Sequence, residues 1–216
     1  MPSDWSEFDE FRERWKRYEK WDAVLTDLCT TSSKHTSRAD VYAKVYLIGR
    51  SYQTGIERHA LPDGTGNNGM DSIAERFLSC SGQLDSLIAD LGTLGDEPTK
   101  ANIEAVCKSH CKVIELLNGA TRNDVVPRSF ASKYLHFHAP VVPIYDAYAS
   151  ATIARRDWKA WTGIDAPNSS IDDVDPEYWN FCRRVARMAD SWRTNKLRPT
   201  ARNLDIYLLG WHAKYR

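Results

Sequence analysis

No uninterrupted apolar run in the 216-residue chain approaches the roughly 18 residues that a membrane-spanning helix needs, which argues against a membrane partner. The opening stretch MPSDWSEFDEFRERW is charged throughout and lacks the apolar centre of a secretory signal, so a cytoplasmic location is expected. Cysteine is scarce and scattered: Cys29, Cys80, Cys107, Cys111 and Cys182 form an odd set that excludes a disulfide framework in a chain without an export signal. Cys107, His110 and Cys111 share a helix face, but a zinc site needs four ligands and no second cluster lies nearby. No metal and no cofactor are therefore expected. The glycines of LPDGTGNNGM are followed by no Lys-Ser or Lys-Thr and preceded by no strand, which excludes a phosphate-cradling loop and leaves a connector. Runs of alternating apolar and polar residues are also absent.

An excess of either charge is missing overall, since 29 basic residues balance 29 acidic ones. The balance hides an asymmetry: residues 1–120 carry 14 Lys and Arg against 19 Asp and Glu, and residues 121–216 carry 15 against 10. Residues 176–216 hold nine basic side chains, Arg183, Arg184 and Arg187 among them, against three acidic ones. A phosphate backbone is attracted to such a surface, and an ordinary solvated helix face has the same composition.

What is present is helical spacing. Trp5, Phe8, Phe11, Trp15, Tyr18, Trp21, Val24, Leu25 and Leu28 recur at three- and four-residue steps, predicting an inward-facing amphipathic helix over 4–30 with a break near Lys20. A second helix is predicted from Arg38 to Ala60. A third is capped by Asp71 and runs to about Leu91, and a fourth runs from Lys100 to Leu117, ending at Asn118-Gly119. Arg128 to His138, Asp146 to Arg155, Pro176 to Asn195 and Thr200 onward complete the set, with DWKAWTGIDAPNSSIDDVDP as a loop. The expected fold is all-α, a compact bundle of about seven to nine helices. A chain of this length forms one domain, 1–216, in which 1–60 is a candidate N-terminal helical annex.

One segment carries distinctive chemistry: SFASKYLHFHAPVVPIYDAY, Ser129 to Tyr148. Pro140 and Pro143 set an extended turn between two short helices, and Asp146 stands where the second helix needs an N-cap. Lys133 and Asp146 lie 13 residues apart, and a helix of one to two turns followed by a return can bring them together. An amine held among Phe130, Tyr134 and Phe137 serves as a nucleophile that forms a Schiff base at an acetal-like carbon. A neighbouring aspartate stabilises the charge that develops as a glycosidic bond breaks. His136 and His138 add titratable groups, and Tyr134, Tyr145 and Tyr148 offer rings for stacking on an extruded base.

SFASKYLHFHAPVVPIYD resembles the catalytic region of bacterial proteins with an 8-oxoguanine DNA glycosylase-like fold, distant relatives of the helix-hairpin-helix base-excision glycosylases. The terminal RNLDIYLLGW is similar to the closing helix of such proteins. The resemblance implies a catalytic Lys at Lys133 and a catalytic Asp at Asp146, and an enzyme that cleaves the N-glycosidic bond of a damaged or modified base. It implies DNA or another nucleic acid as partner, with Arg128, Ser129, His136, His138, Tyr145, Tyr148, Arg183, Arg184 and Arg187 as candidate contacts. Two further readings stand beside it. The same helical fold can bind nucleic acid or nucleotides without chemistry, and the aromatic N-terminal helix, with Trp5, Trp15 and Trp21, can dock on a partner.

Overall fold

Helical spacing of apolar side chains gives nine α-helices and no strand among the described residues, which in this computed structural model are 5–62, 68–155, 158–159 and 171–215. The centre of the LPDGTGNNGM connector and most of the DWKAWTGIDAPNSSIDDVDP loop lie outside them. The chain is a compact all-α bundle, and among the described residues strand-like pairing is limited to isolated bridges joining Thr121 to Ala60 and to Asn118.

Helix α1, Phe8–Thr31, is continuous for 24 residues. It contains neither Gly nor Pro, so the break predicted near Lys20 has no cause. Its apolar stripe is only partly inward. Phe8, Phe11, Leu25 and Cys29 are buried, whereas Trp21 and Val24 are 60% and 58% exposed and Tyr18 stands at the edge. The partner helix explains the difference. The last helix, α9 (Ala201–Lys214), runs antiparallel along α1, with Lys214 on Glu7 and Glu10 at one end and Arg202 on Asp22 at the other. It covers one side of α1 and leaves the flank of Trp21 and Val24 in water.

Helix α2, Arg38–Tyr46, is capped by the Ser37 side chain and passes into a π-helical turn, Leu47–Ser51. The helix predicted to reach Ala60 ends here, because Gln53 (φ 48°) and Gly55 (φ 73°) take left-handed backbone that no right-handed helix can absorb. Helix α3, Gly69–Ser79, is capped by Asn68, and Asp71 returns a bond to the Asn68 backbone as the second half of a capping box rather than as the cap. A separate α4, Ser81–Gly92, follows, because the Ser79 to Gly82 stretch is poor in helix formers.

Helix α5 spans Ile103–Leu116, α6 Arg128–His138, α7 Ala147–Ala154 and α8 Pro176–Thr194. Asp146, Asp175 and Thr200 accept backbone N–H groups at the heads of α7, α8 and α9. Helix α6 is surrounded: every residue from Phe130 to Phe137 is buried. One continuous core links Trp5, Phe8 and Phe11 to Trp192 and Tyr207, with ring centroids 4.8 to 5.6 Å apart. Gly210 makes the α1–α9 approach possible, since a Cβ there would lie 2.3 Å from the Phe11 ring. Among the described residues no helix is long and apolar enough to cross a membrane.

Candidate functional site

The turn from Ala139 to Asp146 is fixed by three side chains. His136 donates Nδ1–H to the Val142 carbonyl at 2.9 Å, Ser132 Oγ accepts the Tyr145 N–H at 3.0 Å, and Tyr178 donates its hydroxyl to the Pro143 carbonyl at 2.7 Å. Val141, Val142 and Ile144 are buried beneath it. The chain thus returns to α6, and the Asp146 Oδ2 atom comes to 3.3 Å from Lys133 Nζ. The other carboxylate oxygen, Oδ1, accepts the Tyr148 N–H at 2.9 Å and caps α7. One aspartate serves both as cap and as ion-pair partner.

Lys133 is 4% exposed, a depth at which an ammonium needs a full set of acceptors. It has them. Besides Asp146, it donates to Ser129 Oγ and to the Tyr52 carbonyl, each at 3.1 Å, so three acceptors meet three N–H donors. Tyr52 lies just beyond the π-helical turn, where carbonyls have no helical partner.

Behind this pair lies a second charged group that the residue pattern alone did not bring forward. The Tyr52 hydroxyl donates to Asp22, Arg202 Nη2 also reaches Asp22, and Arg202 Nη1 lies 2.9 Å from Asp205 Oδ2. Asp205 is buried, its Oδ1 has no hydrogen-bond partner, and burial raises its carboxyl to about 6. The Arg202 and Lys133 charges oppose that rise and the Asp146 and Asp22 charges add to it. Burial likewise raises the Tyr52 phenol and takes the His136 imidazole down to about 4.

The other expected contacts are distributed differently. Arg128 grips Asp175 in a two-pronged pair, Nε to Oδ1 at 2.6 Å and Nη2 to Oδ2 at 2.8 Å, and meets Glu177 at 3.0 Å. It ties α6 to α8. Ser129 is engaged by Lys133, and the Tyr145 hydroxyl donates to Glu177. His136 is inside the protein with Nδ1 on the Val142 carbonyl, and both ring nitrogens of His138 are buried without a hydrogen-bond partner. Tyr134 is also internal: its hydroxyl meets His35 Nε2 at 2.8 Å, and His35 Nδ1 meets Asp85 at 2.6 Å. Tyr148 is 53% exposed two residues beyond Asp146 and stacks on His212 at 4.7 Å. Arg183, Arg184 and Arg187 are half-buried along α8, with Arg183 over the Trp179 ring at 5.6 Å.

His110 does not join Cys107 and Cys111 as a ligand. Its Nε2–H donates to the Arg128 carbonyl at 3.2 Å and its ring stacks on Tyr178 at 3.7 Å. Among the described residues no group of three His, Cys, Asp or Glu side chains is arranged to hold a metal ion. No protein-family model, curated protein or solved structure matches the chain.

Proposed function

We propose that the chain is a DNA glycosylase-like enzyme, related in fold to the helix-hairpin-helix base-excision superfamily, that cleaves the N-glycosidic bond of a damaged or modified base. The observation that carries this reading is the 3.3 Å approach of the Lys133 amine to the Asp146 carboxylate at the head of α7. Lys133 attacks the sugar C1′ once its amine has lost a proton, the bond to the base breaks, and Asp146 balances the positive charge that develops at the sugar. The exposed Tyr148 ring beside Asp146 offers a face for the extruded base. No glycine occurs in VVPRSFAS ahead of Lys133, so phosphate contacts fall to side chains, with Arg183, Arg184 and Arg187 as candidates.

Incubation with duplexes carrying a panel of oxidised bases in the presence of borohydride tests the reading. A covalent adduct that disappears in Lys133→Gln is expected. Absence of any adduct across the panel would remove the Schiff-base mechanism.

A second reading keeps the partner and drops the chemistry: a nucleic-acid or nucleotide binder on the same fold. It is favoured by the complete set of acceptors around Lys133 and by the capping bond of Asp146, which give both residues a structural task. Under it, affinity falls steeply with salt, charge reversal at Arg183, Arg184 and Arg187 abolishes binding, and Lys133→Gln binds as well as the wild type.

A further inference from the structure

Helix α6 is also held through Tyr134, by a chain of hydrogen bonds that the proposed reaction does not use. Asp85 of α4 accepts the His35 backbone N–H at 3.2 Å and His35 Nδ1–H at 2.6 Å. A carboxylate only accepts, so the neutral imidazole carries its hydrogen on Nδ1 and leaves Nε2 bare. The Tyr134 hydroxyl lies 2.8 Å from Nε2 and is therefore the donor. Asp85, His35 and Tyr134 thus join α4, the α1–α2 connection and the middle of α6, with His35 and Tyr134 both buried. The groups facing His35 are Asp85 from α4, Tyr134 and His138 from α6, Lys44 from α2, and Lys34 beside it in the connection. Lys44 is itself buried and donates to the Ser32 carbonyl at the end of α1. The His138 ring stands 5.2 Å from the His35 ring and 5.3 Å from the Tyr134 ring. Phe77 and Phe130 pack on Tyr134 with ring centroids at 4.7 and 5.7 Å. Burial takes His35 below 6.5, and the Lys44 charge adds to that shift against the pull of Asp85.

We propose that Asp85, His35 and Tyr134 form a proton-operated latch on α6, closed while His35 is neutral and released when Nε2 takes a proton from solvent. In the closed state one hydrogen lies between Nε2 and the Tyr134 oxygen. In the charged state there are two: Nε2 turns from acceptor to donor, and the Tyr134 O–H must swing off a nitrogen that no longer accepts it. That hydroxyl then points into a buried setting beside Phe77 and Phe130, where an unpaired donor is costly. Proton binding and the closed latch therefore compete. The contribution of the latch is fully present above 6.5 and is lost as pH falls through the lower value of folded His35. Release loosens α6, the helix that also carries Lys133.

Two-bond proton–nitrogen correlation spectra of the full chain read the state of His35 directly. At pH 7.5 Nδ1 should be protonated and Nε2 bare, and a hydrogen on Nε2 at that pH overturns the proposal. Tyr134→Phe removes the donor and is expected to raise the His35 midpoint by about one pH unit, which is tenfold tighter proton binding. An unmoved midpoint overturns the proposal. Amide hydrogen exchange reads the release. Across the His35 midpoint, protection of α6 relative to α8 should fall about two- to tenfold in the wild type, the worth of one hydrogen bond, and hold constant in Tyr134→Phe. A ratio that stays constant in the wild type, or that falls equally in the variant, overturns the proposal. Should Tyr134→Phe fail to fold, the wild-type spectra and the wild-type exchange ratio decide. No readout uses a nucleic acid, so a failed lesion panel and a failed latch are separate results.

Discussion

The ammonium of Lys133 donates to the carbonyl of Tyr52 across 3.1 Å and 81 residues of sequence, and this bond ties the centre of α6 to the end of the π-helical turn. A side chain that closes a helix end and faces a carboxylate is built into the fold. Its removal therefore has a stability cost as well as a functional one.

Lys133→Met conserves length and apolar stem but leaves the Tyr52 carbonyl and Ser129 Oγ without their donor. Unfolding free energy is expected to fall by about 1–3 kcal/mol, measured as a lower urea midpoint at unchanged slope. An unchanged midpoint would mean that Lys133 contributes nothing to holding the turn.

Acid is expected to destabilise the protein. Burial takes His110 and His136 from an ordinary 6.5 down to about 4, so the unfolded chain takes up protons first. Their contribution is fully present above pH 6.5 and is lost as pH falls through 4, about 3 kcal/mol for each. Asp205 runs the other way. Its carboxyl is raised from 3.8 to about 6, so its contribution is present below 3.8 and lost as pH rises through 6. Two histidines outweigh one aspartate, and burial lowers His138 and His35 in the same sense as His110 and His136. Urea midpoints at pH 7.5 and pH 4.5 check this, the second being lower; equal midpoints would contradict the burial of these rings.

Gly210→Ala is expected to cost about 1–3 kcal/mol, because the new Cβ meets the Phe11 ring at 2.3 Å inside a packed core. Combining it with Phe11→Leu should recover part of that loss in a double-mutant cycle. Gly49→Ala is the contrast. Its nearest neighbour is the terminal methyl of Met70, which can swing aside, and thermal unfolding should register the smaller change there.

Arg128→Gln breaks the bidentate pair with Asp175 and the contact with Glu177. Thermal unfolding should report a loss of about 1–3 kcal/mol whether or not nucleic acid is present. A variant of wild-type stability but weakened binding would instead place Arg128 at a ligand.

Much of this architecture was legible in the sequence where the signal is local. The Pro140 and Pro143 turn and the Asp146 cap are short-range features, and α6, α7, α8 and α9 begin and end within a residue or two of where caps and spacing put them. The same local geometry permitted the pairing of Lys133 with Asp146 without requiring it. Partners distant in the chain were not legible. Nothing near Lys133 announces the Tyr52 carbonyl, and nothing near Asp205 announces Asp22, because both depend on how α1, α6 and α9 pack. Periodicity also overstates burial: it identified the apolar residues of α1 but could not tell that α9, α6 and α2 leave the flank of Trp21 and Val24 uncovered. The spacing left His136 open as a surface or a hydrogen-bonded core group, and only the packing around α6 decides for the core, with its ring on the Val142 carbonyl.

That enclosure of α6 has a consequence for variation. From Phe130 to Phe137 there is no solvent-facing position at which a change is free of neighbours, so the usual rhythm of tolerant and intolerant sites along a helix disappears. A saturation library read by abundance would show eight consecutive depleted columns there, flanked by permissive ones at exposed Asn123 and Pro140. In the same library, tolerated changes are expected to gather in the outer helices, with α6 accepting them only as paired substitutions.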